Sequence, residues 1–259
     1  MRIRLRFAKL GKVRFTSHRD VARMWERALR RAELAVAYTE GFSPRPKLSF
    51  GLALSTGHES VAEYLDIELR EEPDISTLPE RLSRQLPNGI DVTAAAPLAA
   101  GSPSLQEDVT SCTWRIEVRD LEPIQAEQLV DAALAADELI VTRTRKAKAV
   151  TDDLRPAVLA VRTVGPTPVG TELEAELGIH PRSVRPAELL LALAPGRVLE
   201  EGRVIRTAQW IWRDGARLEP LVAEPVATAR LSREEDPHVR HRTPGPDERA
   251  GATALSIAG

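Results

Sequence analysis

Arginine recurs at Arg19, Arg23, Arg27 and Arg31, a step of four residues each time, with Arg30 beside the row. On an α-helix that step stacks side chains one above another, so the guanidinium groups form a ridge. Guanidinium pairs with carboxylates and phosphates through a planar fork of donors. Like charges at this spacing repel by a few tenths of a kcal/mol per pair, and only Glu26 and Glu33 stand near enough to offset them. The ridge leads into GFSPRPK, Gly41 to Lys47, where two prolines fix φ and remove two backbone donors. The result is a stiff, extended loop carrying Phe42, Arg45 and Lys47. A basic helix beside a stiff basic loop suits an anion; the alternative is a solvated basic face with no ligand.

His18 is the candidate catalytic group. It falls at the first position of the same helix, where a neutral imidazole would serve as general base on a ribose hydroxyl. It would equally donate to a phosphate or cap its own helix. Glu40, Glu63 and Asp66 form a loose carboxylate set, with Glu63 and Asp66 read as sheet-surface residues facing basic neighbours. Asp153 and Arg155 read as a structural pair. Arg143, Arg145, Lys146 and Lys148 make a second basic segment, either an extension of the first or an exposed strand end.

Several chemistries lack their motifs. There is no CxxxCxxC, no GxGxxG after a strand, no Walker loop, no HExxH and no G-x-S-x-G elbow. The single cysteine, Cys112, excludes an intrachain disulfide, a multi-cysteine zinc site and a cysteine-bound cluster held by this chain alone. His238 and His241 are too few to define a metal site, so neither metal nor cofactor is expected.

The elements that position these residues follow from periodicity. Arg2, Arg4 and Arg6 alternate with Ile3, Leu5 and Phe7, a strand with one basic and one apolar face; the basic face is expected beside the ridge. Ser17 and Asp20 form a capping box, and Val21, Met24, Trp25, Ala28, Leu29 and Ala32 give the helix one buried face. Strands follow at 34–38, 48–54 and 61–69, then a helix at 75–86 closed by Pro87-Asn88-Gly89 and a strand at 90–98. The order is β-α-β-β-α-β, the split or ferredoxin-like motif. Residues 99–108 read as a linker. A second cycle follows: a strand at 109–118, a helix at 123–136, a strand at 138–145, a connection at 146–153, strands at 157–164 and 171–177, a helix at 186–194 and a strand at 203–212. The predicted fold class is therefore α+β: tandem ferredoxin-like domains at 1–98 and 109–222, with a disordered tail at 223–259 whose prolines are spread among charges.

A chain of 259 residues is comfortable for two domains. Its net charge of −2 conceals an asymmetry: residues 1–50 hold 13 Lys and Arg against 4 Asp and Glu, the remainder 23 against 34. One end thus faces a polyanion. No apolar run approaches a membrane span, and MRIRLRF lacks the apolar block of a signal peptide, so a cytoplasmic protein is expected.

The stretch FTSHRDVARMWERALRRAELAVAYTEGFSPRPKLSF resembles the opening of a radical-SAM-associated protein family of unknown function. AEYLDIEL at 62–69, DLRP at 153–156 and SVRP at 183–186 continue the likeness over about 1–213. The chain departs from that family's pattern at Ser43 and Arg45, where Asn and His are common; arginine cannot replace a histidine acid or ligand, which favours anion contact there. The resemblance implies a radical SAM enzyme as partner. The tandem layout also resembles Cas6-type RNA-processing proteins, at the level of fold only.

The function expected from these residues is an accessory module binding RNA through Arg19, Arg23, Arg27, Arg30, Arg31, Phe42, Arg45 and Lys47. Arginines would hold phosphates and Phe42 would stack on a base. Two alternatives stand beside it: a metal-independent RNA-cleaving or RNA-modifying enzyme using His18, and a protein–protein adaptor for an acidic partner.

Overall fold

The first strand, β1 (Arg2–Lys9), shows how the sheet is built: Ile3, Leu5 and Phe7 turn to one face and Arg2, Arg4 and Arg6 to the other. The computed structural model describes residues 1–145 and 148–221; side chains are described outside 144–148. The expected disordered tail, with His238 and His241, and Lys146 of the second basic segment lie outside these residues.

The helix α1 (His18–Arg31) begins where expected. Ser17 Oγ accepts from Asp20 N at 3.2 Å and donates to the Asp20 carboxylate at 2.7 Å. Val21, Trp25, Ala28 and Leu29 are buried on the apolar face of β1, with Trp25 edge-on to Phe7 at 5.0 Å. Short β2 (Leu48–Phe50), β3 (Glu59–Glu68), α2 (Leu78–Ser83) and β4 (Ile90–Pro97) complete the first half. Its strands run β4-β1-β3-β2, antiparallel throughout, with Leu5 opposite both Leu65 and Ala95.

The second half contains a one-turn helix α3 (Leu105–Asp108), β5 (Val109–Arg119), α4 (Pro123–Ala135), β6 (Ile140–Arg145), β7 (Lys148–Asp153), β8 (Val158–Thr167), β9 (Gly170–Gly178), α5 (Pro186–Leu193), β10 (Glu201–Arg213) and β11 (Ala216–Leu218). Here the order is β10-β5-β9-β8, again antiparallel, while β6 and β7 pair as a separate two-stranded ribbon. Strand β10 also pairs parallel with β3, through Ile205 opposite Glu59 and Arg206 opposite Ser60. That junction makes one sheet running β4-β1-β3-β10-β5-β9-β8. The chain is thus α+β, with a large, mostly antiparallel sheet and few helices; each half has its own apolar core.

Several local expectations change. Residues 34–38 make only isolated bridges, Val36 to Leu69 and Tyr38 to Pro46. The strand expected at 48–54 stops at Phe50, and the helix expected at 75–86 shortens to a 3-10 turn, Ile75–Thr77, followed by α2. Residues 148–153 of the expected 146–153 connection form β7, held by its pairing with β6; so short a ribbon shows no alternation to read from sequence. In 99–108, read as a linker, Ser104 and Glu107 form a capping box and Leu105 is buried with Ala62 and Tyr64.

Candidate nucleic-acid interface

The arginines of β1 do not adjoin the ridge. Helix α1 packs on the Ile3, Leu5 and Phe7 face, so alternation sends Arg2, Arg4 and Arg6 to the opposite side of the sheet. There Arg4 forks onto Asp66 at 2.7 and 2.9 Å, Arg2 reaches Asp66 at 2.9 Å and Arg6 reaches Glu219 at 3.2 Å. Asp66, read from sequence as a surface residue, is only 2 % exposed. Glu63 is likewise buried and receives Arg206 at 3.0 and 2.6 Å. Arg206 packs over Trp114 at 5.2 Å and donates to Leu52 O at 2.9 Å. Burial works against its charge, but Glu63 overrides burial and holds its pKa above the ordinary value. Lys9 lies in the same polar interior, donating to the Arg14 and Thr16 carbonyls at 3.3 Å; burial pulls its pKa down, opposed by Glu63.

This arrangement leaves α1 with few carboxylates. Arg19, Arg23, Arg27, Arg30 and Arg31 are all exposed. Arg23 meets Asp20 at 3.5 Å across open solvent, a contact worth little. Arg31 donates to the backbone carbonyl of Gln85. Among the described residues, no ion pair involves Arg19, Arg27, Arg30 or Arg31.

The loop beside the ridge is a finger closed at its base. Thr39 N donates to Arg45 O at 2.8 Å, Arg45 N to Thr39 Oγ1 at 3.0 Å and Lys47 N to Ala37 O at 2.8 Å. Pro44 and Pro46 alternate with these donors, so the finger is stiff and its outer side carries fewer backbone donors for edge pairing. Gly41 at φ 119° turns the chain at the tip. Phe42 follows it and is 111 % exposed. Among the described residues, no apolar contact explains a phenylalanine there. Arg45 is exposed, and Lys47 makes an exposed pair with Glu68 at 2.9 Å.

His18 is exposed at the start of α1, edge-on to Phe50 at 5.1 Å. Among the described residues, no hydrogen bond orients its ring. It borders a cavity of about 20 Å³ that also touches Lys9 and Glu63, room for about one water. Asp153 is structural: it accepts from the backbone N–H groups of Leu139 and Arg155 rather than from the Arg155 side chain. Arg143 pairs with Asp152 at 2.9 Å on the ribbon.

The sequence reading missed a cavity of about 290 Å³ between the ridge and the finger, lined by Glu26, Arg30, Leu34, Tyr38, Pro44 and Pro46 among others. Glu26 and Arg30, four apart on one helix, were the available signal. Cys112 is buried, which pushes its thiol up to about 11. Among the described residues, no helix is long and apolar enough to cross a membrane.

Fold and surface together define an α+β protein with one cationic helix face. Over residues 2–186 the chain matches the model of a family described as an uncharacterized protein conserved in bacteria (DUF2344), and it belongs to that family. No curated protein matches it. The radical SAM association implied by resemblance is not part of the family's description.

Proposed function

We propose that this protein binds single-stranded RNA through α1 and the 39–47 finger. The observation that carries the reading is the distribution of carboxylates. Arg2 and Arg4, on the sheet, meet Asp66, and Arg206 meets Glu63, whereas among the described residues five exposed arginines on one helix share a single weak carboxylate contact. A face selected for stability alone would interleave acids to relieve repulsion. A flexible strand of phosphates satisfies such a ridge, and the exposed ring of Phe42 offers a base a stacking surface. The reading extends to an accessory role: any radical SAM cluster would belong to a partner enzyme, because this chain has one cysteine and it is buried. Tandem ferredoxin-like units are the fold reading supported by the order β4-β1-β3-β2 in one half and β10-β5-β9-β8 in the other. The β6–β7 ribbon is then an insertion.

The test is titration of labelled single-stranded RNA across a salt series. Binding that weakens steeply with salt supports the proposal. Salt-independent binding, or capture of an acidic protein with no RNA affinity, overturns it.

A further inference from the structure

The cavity between ridge and finger combines an apolar interior with two charged groups of opposite sign. Leu29 and Val36 are buried at its floor, and Tyr38, Pro44 and Pro46 wall the finger side. On the helix side stand Glu26, half-buried, and Arg30, exposed. The order Glu then Arg at i,i+4 is the favourable one for a helical ion pair. Among the described residues, however, neither side chain makes an ion pair or hydrogen bond. Helix α1 contains two acids, Asp20 and Glu26, and Asp20 is taken up by the Ser17 cap and Arg23. Glu26 therefore places an unengaged carboxylate within a phosphate-binding ridge. That is counterproductive for phosphate and useful for a ligand edge that donates hydrogen bonds.

Resting on the RNA-binding reading above, we propose that this cavity takes one unstacked guanine base. An ionised carboxylate only accepts hydrogen bonds and can do so with both oxygens. Guanine presents two adjacent donors, N1–H and the N2 amino group, which match Glu26. Its O6 and N7 are acceptors, the pattern that arginine reads. Uracil offers a single N–H flanked by two carbonyl oxygens that the carboxylate repels. Adenine presents an amino group beside a bare ring nitrogen. The apolar floor and proline wall accept the faces of the ring, as single-stranded recognition requires. Arg19, Arg23 and Arg27 remain for the flanking phosphates.

The experiment compares labelled oligouridylate with the same strand carrying one guanosine, one inosine or one adenosine. With wild-type protein, guanosine should tighten binding about tenfold, the effect of one bidentate base contact. Inosine, lacking the N2 amino group, should recover only part of the gain and adenosine none. Glu26→Gln should abolish the guanosine preference while leaving oligouridylate affinity and its salt dependence unchanged or slightly strengthened. Oligouridylate binding with no guanosine preference overturns the guanine pocket and leaves the ridge standing. A guanosine preference that survives Glu26→Gln overturns the assignment to this cavity. Failure to bind any strand overturns the RNA reading and the pocket with it. Circular dichroism melting of Glu26→Gln, which breaks no ion pair or hydrogen bond among the described residues, should match wild type, so lost preference will not reflect unfolding.

Discussion

Replacing Arg23 and Arg27 with glutamine separates a binding ridge from a structural one. Both side chains are exposed, and glutamine has nearly the helix propensity of arginine. The change removes one contact, Arg23 to Asp20 at 3.5 Å with both side chains about half exposed; such a pair is worth about 0.3–0.5 kcal/mol at most. It also removes the Arg19–Arg23, Arg23–Arg27 and Arg27–Arg31 repulsions, each worth a few tenths of a kcal/mol. The terms nearly cancel, so stability should move by less than about 0.5 kcal/mol, towards greater stability. Binding should respond differently. Each phosphate contact on a single strand contributes about −0.7 to the slope of log K against log salt, so the slope should become shallower by about 1.4. Between about 50 and 200 mM salt, the double variant should then lose roughly sevenfold less affinity than wild type. Fluorescence anisotropy across that range, with urea melts of both proteins, measures both quantities. A lower melting midpoint with unchanged affinity and slope would refute the reasoning, since it would make the ridge structural.

Phe42→Ala should leave the melting temperature unchanged, because the ring is 111 % exposed. It should weaken single-strand binding by about 1–3 kcal/mol without changing the salt slope; a changed slope would argue against stacking. Arg206→Met should destabilise by about 3–5 kcal/mol in chemical denaturation, because Glu63 would be left buried without its fork; a near-neutral result would show that Lys9 suffices as counterion. Glu59 supplies a pH test. Burial pushes its pKa up, but hydrogen bonds from Arg203 and the Gly11 N–H and the charges of Arg203 and Arg14 outweigh burial and hold it below its ordinary 4.5. A depressed folded pKa stabilises fully above the unfolded value and is lost as pH falls through the folded one. The stability gap between wild type and Glu59→Gln should therefore be largest near neutrality and close below pH 4.5; a gap that widens in acid would reverse the sign.

The linear sequence carried the local rules. Alternation of Arg2, Arg4 and Arg6 with Ile3, Leu5 and Phe7 determined a two-faced strand. Ser17, Asp20 and the apolar row from Val21 to Leu29 determined the start and buried face of α1, since capping and periodicity involve neighbours within one turn. The step-of-four arginines and the proline-spaced finger were legible for the same reason. Pairing across the sheet was not, because it joins residues far apart in the chain. Nothing near Asp66 or Glu63 shows that Arg4 and Arg206 will claim them, from 62 and 143 residues away. That choice turned two apparent surface acids into buried partners and left α1 without them. Tertiary structure alone also sent the β1 arginines to the side of the sheet opposite α1, since either face of that strand could have met the ridge in a one-dimensional reading. The cavity between Glu26, Arg30 and the finger exists only because Tyr38 pairs with Pro46 and folds the finger back beside the helix.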